Sequence, residues 1–188
     1  MARPARAICL IGMPGSGKST VGRHVARHLG RPFVDTDHLI EQRIGCSIRE
    51  YFELQGEPAF RDVESQVIDD ATAASEARVI ATGGGAVLRD ANRDWLRARS
   101  TVMYLRTTPE DLARRLRHDT HRPLLQGGGD ALKRLRTLFG DRDPLYRRTA
   151  HFVVEAQRPS VHALVNMVLM QLELAGIVTV RGAPSQPQ

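Results

Sequence analysis

The chain has 188 residues, of which 41% are hydrophobic and 26% are charged. This length suits one compact domain, and the composition excludes a disordered or fibrous protein. No run approaches the ~20 apolar residues that a membrane span requires, and the first apolar stretch is too short for a signal peptide. We therefore expect a cytoplasmic protein. A single domain is expected over residues 1–176, and the remaining residues, 177–188, are expected to form a disordered tail.

The charge balance is basic, with a formal net charge of +6, and Lys18 and Lys133 are the only lysines beside many arginines. A basic balance is also typical of proteins that bind nucleic acids. Here the arginines are scattered along the chain, and aromatic residues make up only 5%, so platforms for stacking bases are few. We favour a solvated, arginine-rich surface with a few arginines that hold anions, and expect no nucleic-acid partner.

Five short apolar runs alternate with helical patterns along the chain. These runs predict β-strands at Ala7–Ile11, Pro32–Val34, Arg78–Ala81, Thr101–Leu105 and His151–Val154. Strands that alternate with helices are typical of parallel sheets with helices on both faces. We therefore predict an α/β fold, a three-layer α/β/α sandwich with a five-stranded parallel sheet, whose ligands gather at the carboxyl ends of the strands. The polar, glycine-rich stretch 118–130 is expected to be a mobile lid.

A phosphate-binding loop follows the first predicted strand. Residues Gly12–Thr20 match the pattern G-x-x-x-x-G-K-[ST] at a strand-to-helix junction, which is a specific context for this motif. Backbone N–H groups of such a loop, and the N-terminus of the helix after it, bind phosphate oxygens. We expect Lys18 to neutralise the β- and γ-phosphates of ATP and the Ser19 hydroxyl to ligate Mg²⁺. The predicted ATP contacts in this loop are Gly15, Ser16, Gly17, Lys18, Ser19 and Thr20.

The rest of the chain narrows the class of P-loop protein. Guanine specificity usually comes with an Asn-Lys-x-Asp segment, and neither Asn92 nor Asn166 lies in one. Motor-type ATPases place a Mg²⁺-binding acid at the end of a buried strand, whereas the predicted strand ending at Ala81 is followed by Thr82 and glycines. The acid must therefore come from another segment.

Two carboxylates follow the second predicted strand, in the segment Asp35-Thr-Asp37. Asp35 lies nearer to the strand and is a candidate to hold Mg²⁺ through water. Asp37 is a candidate to orient the acceptor hydroxyl or to take its proton. Taken alone, these residues are equally consistent with Asp37 only capping the helix that begins near His38. The phosphate loop upstream favours the catalytic interpretation.

A predicted helix with Pro58 in its first turn carries a candidate ion pair. Phe60, Glu64 and Val67 share one face of this helix, so Glu64 lies on the apolar side. A carboxylate there needs a partner, and Arg61 is one turn away. One interpretation of Arg61 and Glu64 is an ordinary surface ion pair, which would contribute little stability. Alternatively, a guanidinium held by Glu64 could bind a substrate carboxylate with two hydrogen bonds.

Three consecutive glycines, Gly83–Gly85, follow the third predicted strand. Residues without side chains lose more conformational entropy on folding than any others. This cost is tolerated where a ligand must approach the backbone closely. We therefore expect the glycine loop, Gly83–Gly85, to line a ligand site.

Taken together, these motifs resemble those of the shikimate kinase family, over a stretch from about residue 7 to residue 172. Six elements occur in the order and spacing of that family: the phosphate loop, Asp35-Thr-Asp37, Phe60-Arg-x-x-Glu64, Thr82-Gly-Gly-Gly85, Arg122-Pro-Leu-Leu125 and Arg142-Asp-Pro-Leu-Tyr146. The resemblance implies ATP- and Mg²⁺-dependent phosphorylation of the 3-hydroxyl of shikimate, a step towards chorismate and the aromatic amino acids. It also implies a monomer with a fold like that of P-loop nucleoside monophosphate kinases.

The resemblance further implies roles for residues on the substrate side. Asp37 matches the aspartate that contacts the reacting hydroxyl, and Asp35 matches the one near the metal. Arg61 and Arg142 match the two arginines that hold the shikimate carboxylate. Gly83–Gly85 match the loop that lines the ring of the substrate.

On the nucleotide side, Arg122 matches the arginine of the lid that closes over the phosphates. Arg115 and the turn Gln157-Arg158-Pro159 lie where the family contacts adenine. Closure of the lid would exclude water and suppress hydrolysis of ATP.

Two other functional classes, a kinase for a different small molecule and a non-catalytic binding module, agree less well with these motifs. A gluconate kinase, another small-metabolite kinase or a nucleoside monophosphate kinase would not be expected to have both the Arg61–Glu64 pair and the segment that begins at Arg142. A non-catalytic nucleotide-binding or nucleic-acid module would leave Asp37 and both arginines idle. We therefore expect shikimate and ATP as partners, with neither nucleic acid nor a membrane.

Overall fold

The computed structural model describes residues 6–116, 131–156 and 160–179. The predicted lid at 118–130, the turn at 157–159 and the last nine residues of the predicted tail therefore lie outside the described residues. Within the described part, no helix combines the length and the apolar character that crossing a membrane would need.

In the residues that the structure describes, five strands form one sheet in which every neighbouring pair is parallel. The strands are β1 (Ala7–Ile11), β2 (Phe33–Asp35), β3 (Val79–Ala81), β4 (Ser100–Arg106) and β5 (Phe152–Glu155). Their order across the sheet is β2-β3-β1-β4-β5. All five predicted strands are confirmed to within one residue at each end.

Seven helices surround the sheet in the described part of the chain. They are α1 (Lys18–Leu29), α2 (Thr36–Ile44), α3 (Ile48–Ala73), α4 (Asp90–Arg99), α5 (Pro109–Leu116), α6 (Ala131–Thr149) and α7 (Val161–Leu174). Helices α1 and α7 pack on one face of the sheet, and α3, α4 and α6 pack on the other. The predicted three-layer α/β/α sandwich is therefore confirmed.

The two cores follow from the alternation of side chains along each strand. In β1, Ile8 and Leu10 pack with the side chains of α1 and α7. Their neighbours Cys9 and Ile11 point to the opposite face and pack with α3, α4 and α6. A strand covered on both faces must be apolar throughout, which explains the continuous apolar run in the sequence.

Helix α7 is followed by a short packed segment. Gly176 adopts a left-handed conformation with φ 67°, and the next residue, Ile177, donates a backbone hydrogen bond of 2.9 Å to Leu172. Val178 belongs to the core beneath α1 and α7. Packing therefore continues two residues beyond the predicted end of the domain.

Helix α3 is kinked at Gly56, where φ is 80° and ψ is 172°. As predicted, Pro58 lies in the first turn of the segment after this kink, where its missing N–H group is tolerated. The kink brings Phe52, before it, against Phe60, after it, with ring centroids 4.5 Å apart. Both segments of α3 consequently border the same cavity.

Candidate active site

The phosphate loop connects β1 to α1, as predicted. Gly17 precedes the helix with φ 93°, a conformation that favours glycine. Because glycine has no side chain, it cannot cap the helix, and the N-terminal N–H groups can serve an anion instead. The Lys18 ammonium lies over the loop and donates hydrogen bonds of 2.9 Å to the carbonyls of Gly12 and Met13.

A cavity of about 420 Å³ opens beside this loop. Four predicted loop contacts line it together with the predicted adenine contact: Gly15, Ser16, Gly17, Thr20 and Arg115. The Arg115 guanidinium is held there by hydrogen bonds to the carbonyls of Ser16 (3.4 Å) and Ala156 (2.7 Å). The other predicted nucleotide contacts, Arg122, Gln157 and Arg158, lie outside the described residues.

The two predicted metal ligands are in contact. The hydroxyl of Ser19 donates a hydrogen bond of 2.6 Å to Oδ2 of Asp35. Ser19 lies in the first turn of α1 and Asp35 is the last residue of β2. Hydroxyl and carboxylate oxygens are the hard ligands that Mg²⁺ prefers, so the pair forms a candidate metal site.

The helix cap in this region is Asp35 rather than Asp37. Oδ1 of Asp35 accepts a hydrogen bond of 3.1 Å from the backbone N–H of Asp37 and so caps α2. The alternative in which Asp37 only caps this helix is therefore wrong. The Asp37 side chain lies in the first turn of α2 and borders a second cavity.

This second cavity has a volume of about 610 Å³. Predicted substrate contacts that line it are Asp37, Arg61, Glu64, Gly83, Gly84 and Gly85. The phosphate loop separates the two cavities, since Pro14 lines the second and Gly15 lines the first. A phosphate held by the loop would therefore lie between a nucleotide and a second ligand.

The Arg61 guanidinium is fixed in the wall of the second cavity by two carboxylates. Nη1 donates a hydrogen bond of 2.7 Å to Glu64, and Nε and Nη2 donate bonds of 3.1 Å and 2.9 Å to Glu57. Glu64 is buried, with 1% of its surface exposed. Burial raises the pKa of Glu64, while the guanidinium groups of Arg61 and Arg142 act to lower it.

Arg142 reaches the same region from α6. Its charge acts to lower the pKa of both Glu64 and Tyr146, although burial raises both. Both guanidinium groups are thus near enough for their charge to act on the buried Glu64 carboxylate, and Arg61 is in direct contact with it. Among the described residues, Arg61 lines the second cavity and Arg142 does not, so the predicted contact of Arg142 with a ligand carboxylate stays a prediction.

Asp37 faces the same space. A Cβ atom added to Gly83 would lie 2.5 Å from Oδ1 of Asp37 and 3.3 Å from Oε1 of Glu64. Although Asp37 is exposed to the cavity, desolvation and the nearby Asp35 carboxylate raise its pKa to about 6, while Lys18 acts to lower it. A carboxylate of this pKa remains largely ionised at pH 7 and is suited to accept a proton.

Close approach of side chains explains the other two glycines of the loop. A Cβ atom at Gly84 would lie 2.6 Å from the ring of Pro14. A Cβ atom at Gly85 would lie 2.1 Å from Nη1 of Arg61. The prediction that these glycines line a ligand site agrees with their place in the cavity wall.

Several residues at the second cavity were not predicted from the sequence. Glu57 holds Arg61, and its position four residues earlier in a helix could have indicated this ion pair. Pro14 occupies a variable position of the phosphate motif, and Phe52 precedes the kink in α3; both line the second cavity. Neither has a local signal, because their roles depend on how distant segments pack.

Comparisons with known proteins identify the family of this chain. A family model described as shikimate kinase matches residues 14–173. A shikimate kinase of Paracidovorax citrulli is 58% identical over 179 residues, which cover 94% of this chain and 97% of that protein. The structure of a shikimate kinase from Acinetobacter baumannii in complex with shikimate has a TM-score of 0.84 and 42% identity, and the match covers 93% of this chain and 96% of that one.

A gluconokinase from Sinorhizobium meliloti is more distant, with a TM-score of 0.58 and 18% identity over 93% of this chain and 95% of its own. This likeness shows a shared fold alone. The family model and the high identity over almost the whole length lead to one conclusion: the chain belongs to the shikimate kinase family.

Proposed function

We propose that this chain transfers the γ-phosphate of ATP to the 3-hydroxyl of shikimate, with Asp37 acting on that hydroxyl. ATP-dependent phosphorylation of shikimate is the activity of the family to which the chain belongs. The observation that supports the residue assignment is the second cavity, where Asp37 and the Arg61–Glu64 pair face one space beside the phosphate loop. This arrangement suits a small molecule that carries both a carboxylate and hydroxyls.

In the proposed mechanism, Arg61 and Arg142 bind the shikimate carboxylate. A planar guanidinium binds a carboxylate through two parallel hydrogen bonds, which fixes orientation as well as position. The substrate hydroxyl then points towards Asp37. Its oxygen forms a bond to the γ-phosphorus, the bond from that phosphorus to the β-γ bridging oxygen breaks, ADP leaves, and the hydroxyl proton passes to the Asp37 carboxylate.

Positive charge around the transferred group supports this step. Lys18 would move from the loop carbonyls to the β- and γ-phosphates. Ser19 and Asp35 would hold Mg²⁺, which when bound neutralises negative charge on these phosphates. Two protein oxygens are enough for this ion, since Mg²⁺ usually keeps several waters and takes further ligands from the nucleotide.

We assign the remaining contacts to ATP. Arg115 borders the first cavity and would contact adenine together with Gln157 and Arg158. Arg122, in the predicted lid, would close over the phosphates. From the family resemblance we propose a monomer, and from the composition of the sequence a cytoplasmic protein without a nucleic-acid or membrane partner.

A coupled assay of ADP release tests the function. The purified protein with ATP and Mg²⁺ is given shikimate, gluconate, a set of nucleoside monophosphates or single-stranded DNA. We expect ADP release that depends on shikimate and is at background level with the others. Turnover with another acceptor and none with shikimate would overturn the proposal.

A further inference from the structure

Tyr146, on α6, contacts the glycine loop from within the buried core. This residue is fully buried, and its hydroxyl donates a hydrogen bond of 2.5 Å to the carbonyl of Gly84. Its ring packs against that of Tyr104, with centroids 4.9 Å apart. Because the ring is enclosed in the core, the hydroxyl is held at a defined place beneath the loop.

The glycine loop depends on outside groups for its shape. Three consecutive glycines have no side chains that could pack, and their backbone is the most conformationally free of all residues. On one side, Thr36 accepts a hydrogen bond of 3.1 Å from the N–H of Gly83. On the other side, Tyr146 binds the carbonyl of Gly84. The loop is thus attached both to the segment that carries Asp37 and to α6.

Tyr146 also lies beside Arg142, four residues earlier on the same face of α6. The guanidinium of Arg142 acts to lower the pKa of this phenol, and burial raises the pKa to about 12. The phenol is consequently neutral at physiological pH and able to donate its hydrogen bond to the carbonyl of Gly84. Its hydroxyl therefore joins the helix that carries Arg142 to the loop that lines the cavity.

We propose that Tyr146 is a positioning residue for shikimate: its hydroxyl fixes the glycine loop relative to Arg142, so that one substrate can contact both. A carbonyl and the following N–H of a peptide unit point in opposite directions. Binding of the Gly84 carbonyl therefore also orients the N–H of Gly85, in the cavity wall. This inference rests on the proposed function, because it takes the loop and Arg142 as substrate contacts.

The test is Tyr146→Phe, which removes the hydroxyl and keeps the ring. We expect the KM for shikimate to rise about fivefold to tenfold, the range for loss of one buried hydrogen bond. The KM for ATP and kcat should change less than about twofold, since the phosphate loop keeps its own contacts. Calorimetric titration of the nucleotide-free protein should show a matching rise in the Kd for shikimate, independently of turnover.

Tyr104→Phe is the matched control. This tyrosine is equally buried and stacked in the same pair, but its hydroxyl donates to Asp143 at 2.8 Å rather than to the loop. Its removal should leave the KM for shikimate within about twofold of the parent value. Melting temperatures of both variants monitor folding, since a purely structural defect lowers the active fraction and leaves both KM values unchanged.

The KM values of the two variants and the activity of the unmodified protein distinguish failure of the positioning role from failure of the proposed function. An unchanged shikimate KM in Tyr146→Phe, or an equal rise in the KM for ATP, overturns the positioning role. An equal rise in Tyr104→Phe assigns the effect to packing of α6 and also overturns it. If the unmodified protein shows no ADP release that depends on shikimate, the proposed function itself fails.

Discussion

The hydroxyl of Ser19 and the carboxylate of Asp35 lie in hydrogen-bonding contact, 2.6 Å apart, although 16 positions separate them in the chain. Strands β1 and β2 both pair in parallel with β3, so the segments after them meet at one edge of the sheet. The other carboxylate oxygen of Asp35 caps α2. The Ser19–Asp35 pair, the candidate metal site, is therefore held in place by contacts within the protein.

Asp35→Asn should weaken binding of Mg²⁺. Asparagine can still cap α2 and still offers an oxygen, but it removes the negative charge next to the ion. We expect the Mg²⁺ concentration for half-maximal activity to rise about tenfold, with a melting temperature close to that of the parent protein. A Mg²⁺ titration at saturating shikimate and ATP measures this, and an unchanged curve would exclude Asp35 as a metal ligand.

Asp37→Asn should abolish most of the transfer step. The amide is similar in shape but cannot take the hydroxyl proton, so kcat should fall by about 10²- to 10⁴-fold. Binding of ATP, measured by calorimetry, should be nearly unchanged. Asp94→Asn, on the exposed face of α4, is the control and should retain full activity. An active Asp37→Asn protein would contradict the assigned role.

Glu64→Gln should destabilise the protein and weaken shikimate binding together. Arg61 would lose a charged partner at 2.7 Å in a mostly buried site, at a cost of about 1–3 kcal/mol in the free energy of unfolding. Chemical denaturation and the KM for shikimate measure the two effects. As a control, Asp70→Asn breaks the exposed pair with Arg43 and should change stability by at most about 0.5 kcal/mol. Equal effects of the two substitutions would refute the special role of Glu64.

Gly85→Ala should displace the Arg61 guanidinium, because the new Cβ atom would lie 2.1 Å from Nη1. We expect the KM for shikimate to rise at least about tenfold, since small misplacements in a site are costly. Gly140→Ala provides the control: a Cβ atom there, on the exposed face of α6, meets nothing within 4 Å. That change should keep full activity and stabilise the helix by about 0.5–1 kcal/mol. If the two variants bind shikimate alike, crowding at Gly85 is not important.

Cys9 should not react with thiol reagents in the folded protein. Burial in β1 leaves it without exposed surface and raises the pKa of its thiol to about 12, so at pH 8 almost no thiolate forms. Cys46 is partly exposed. Titration with a chromogenic disulfide should therefore detect one thiol in the native protein and two after denaturation. The Cys46→Ser variant should give none in the native state; a reactive native Cys9 would indicate that the sheet opens.

Local patterns determined the elements and most of the chemistry. The strands were predictable because continuous apolar runs mark strands buried on both faces, as β1 is. The phosphate loop was predictable because its glycines, Lys18 and Ser19 act within a few residues of one another. Asp37, Arg61 and Glu64 could be proposed for one candidate site because their spacing after a strand, or along a helix, reflects local geometry, and all three line the second cavity.

Only the tertiary structure decided which of these groups meet. That Asp35, and not Asp37, caps α2 depends on backbone angles that the short segment Asp35-Thr-Asp37 leaves open. The contact of Tyr146 with Gly84 spans 62 positions in the chain, and no local pattern encodes it. Periodicity reports which face of an element is apolar, whereas contacts between distant elements depend on how the whole sheet and its helices pack.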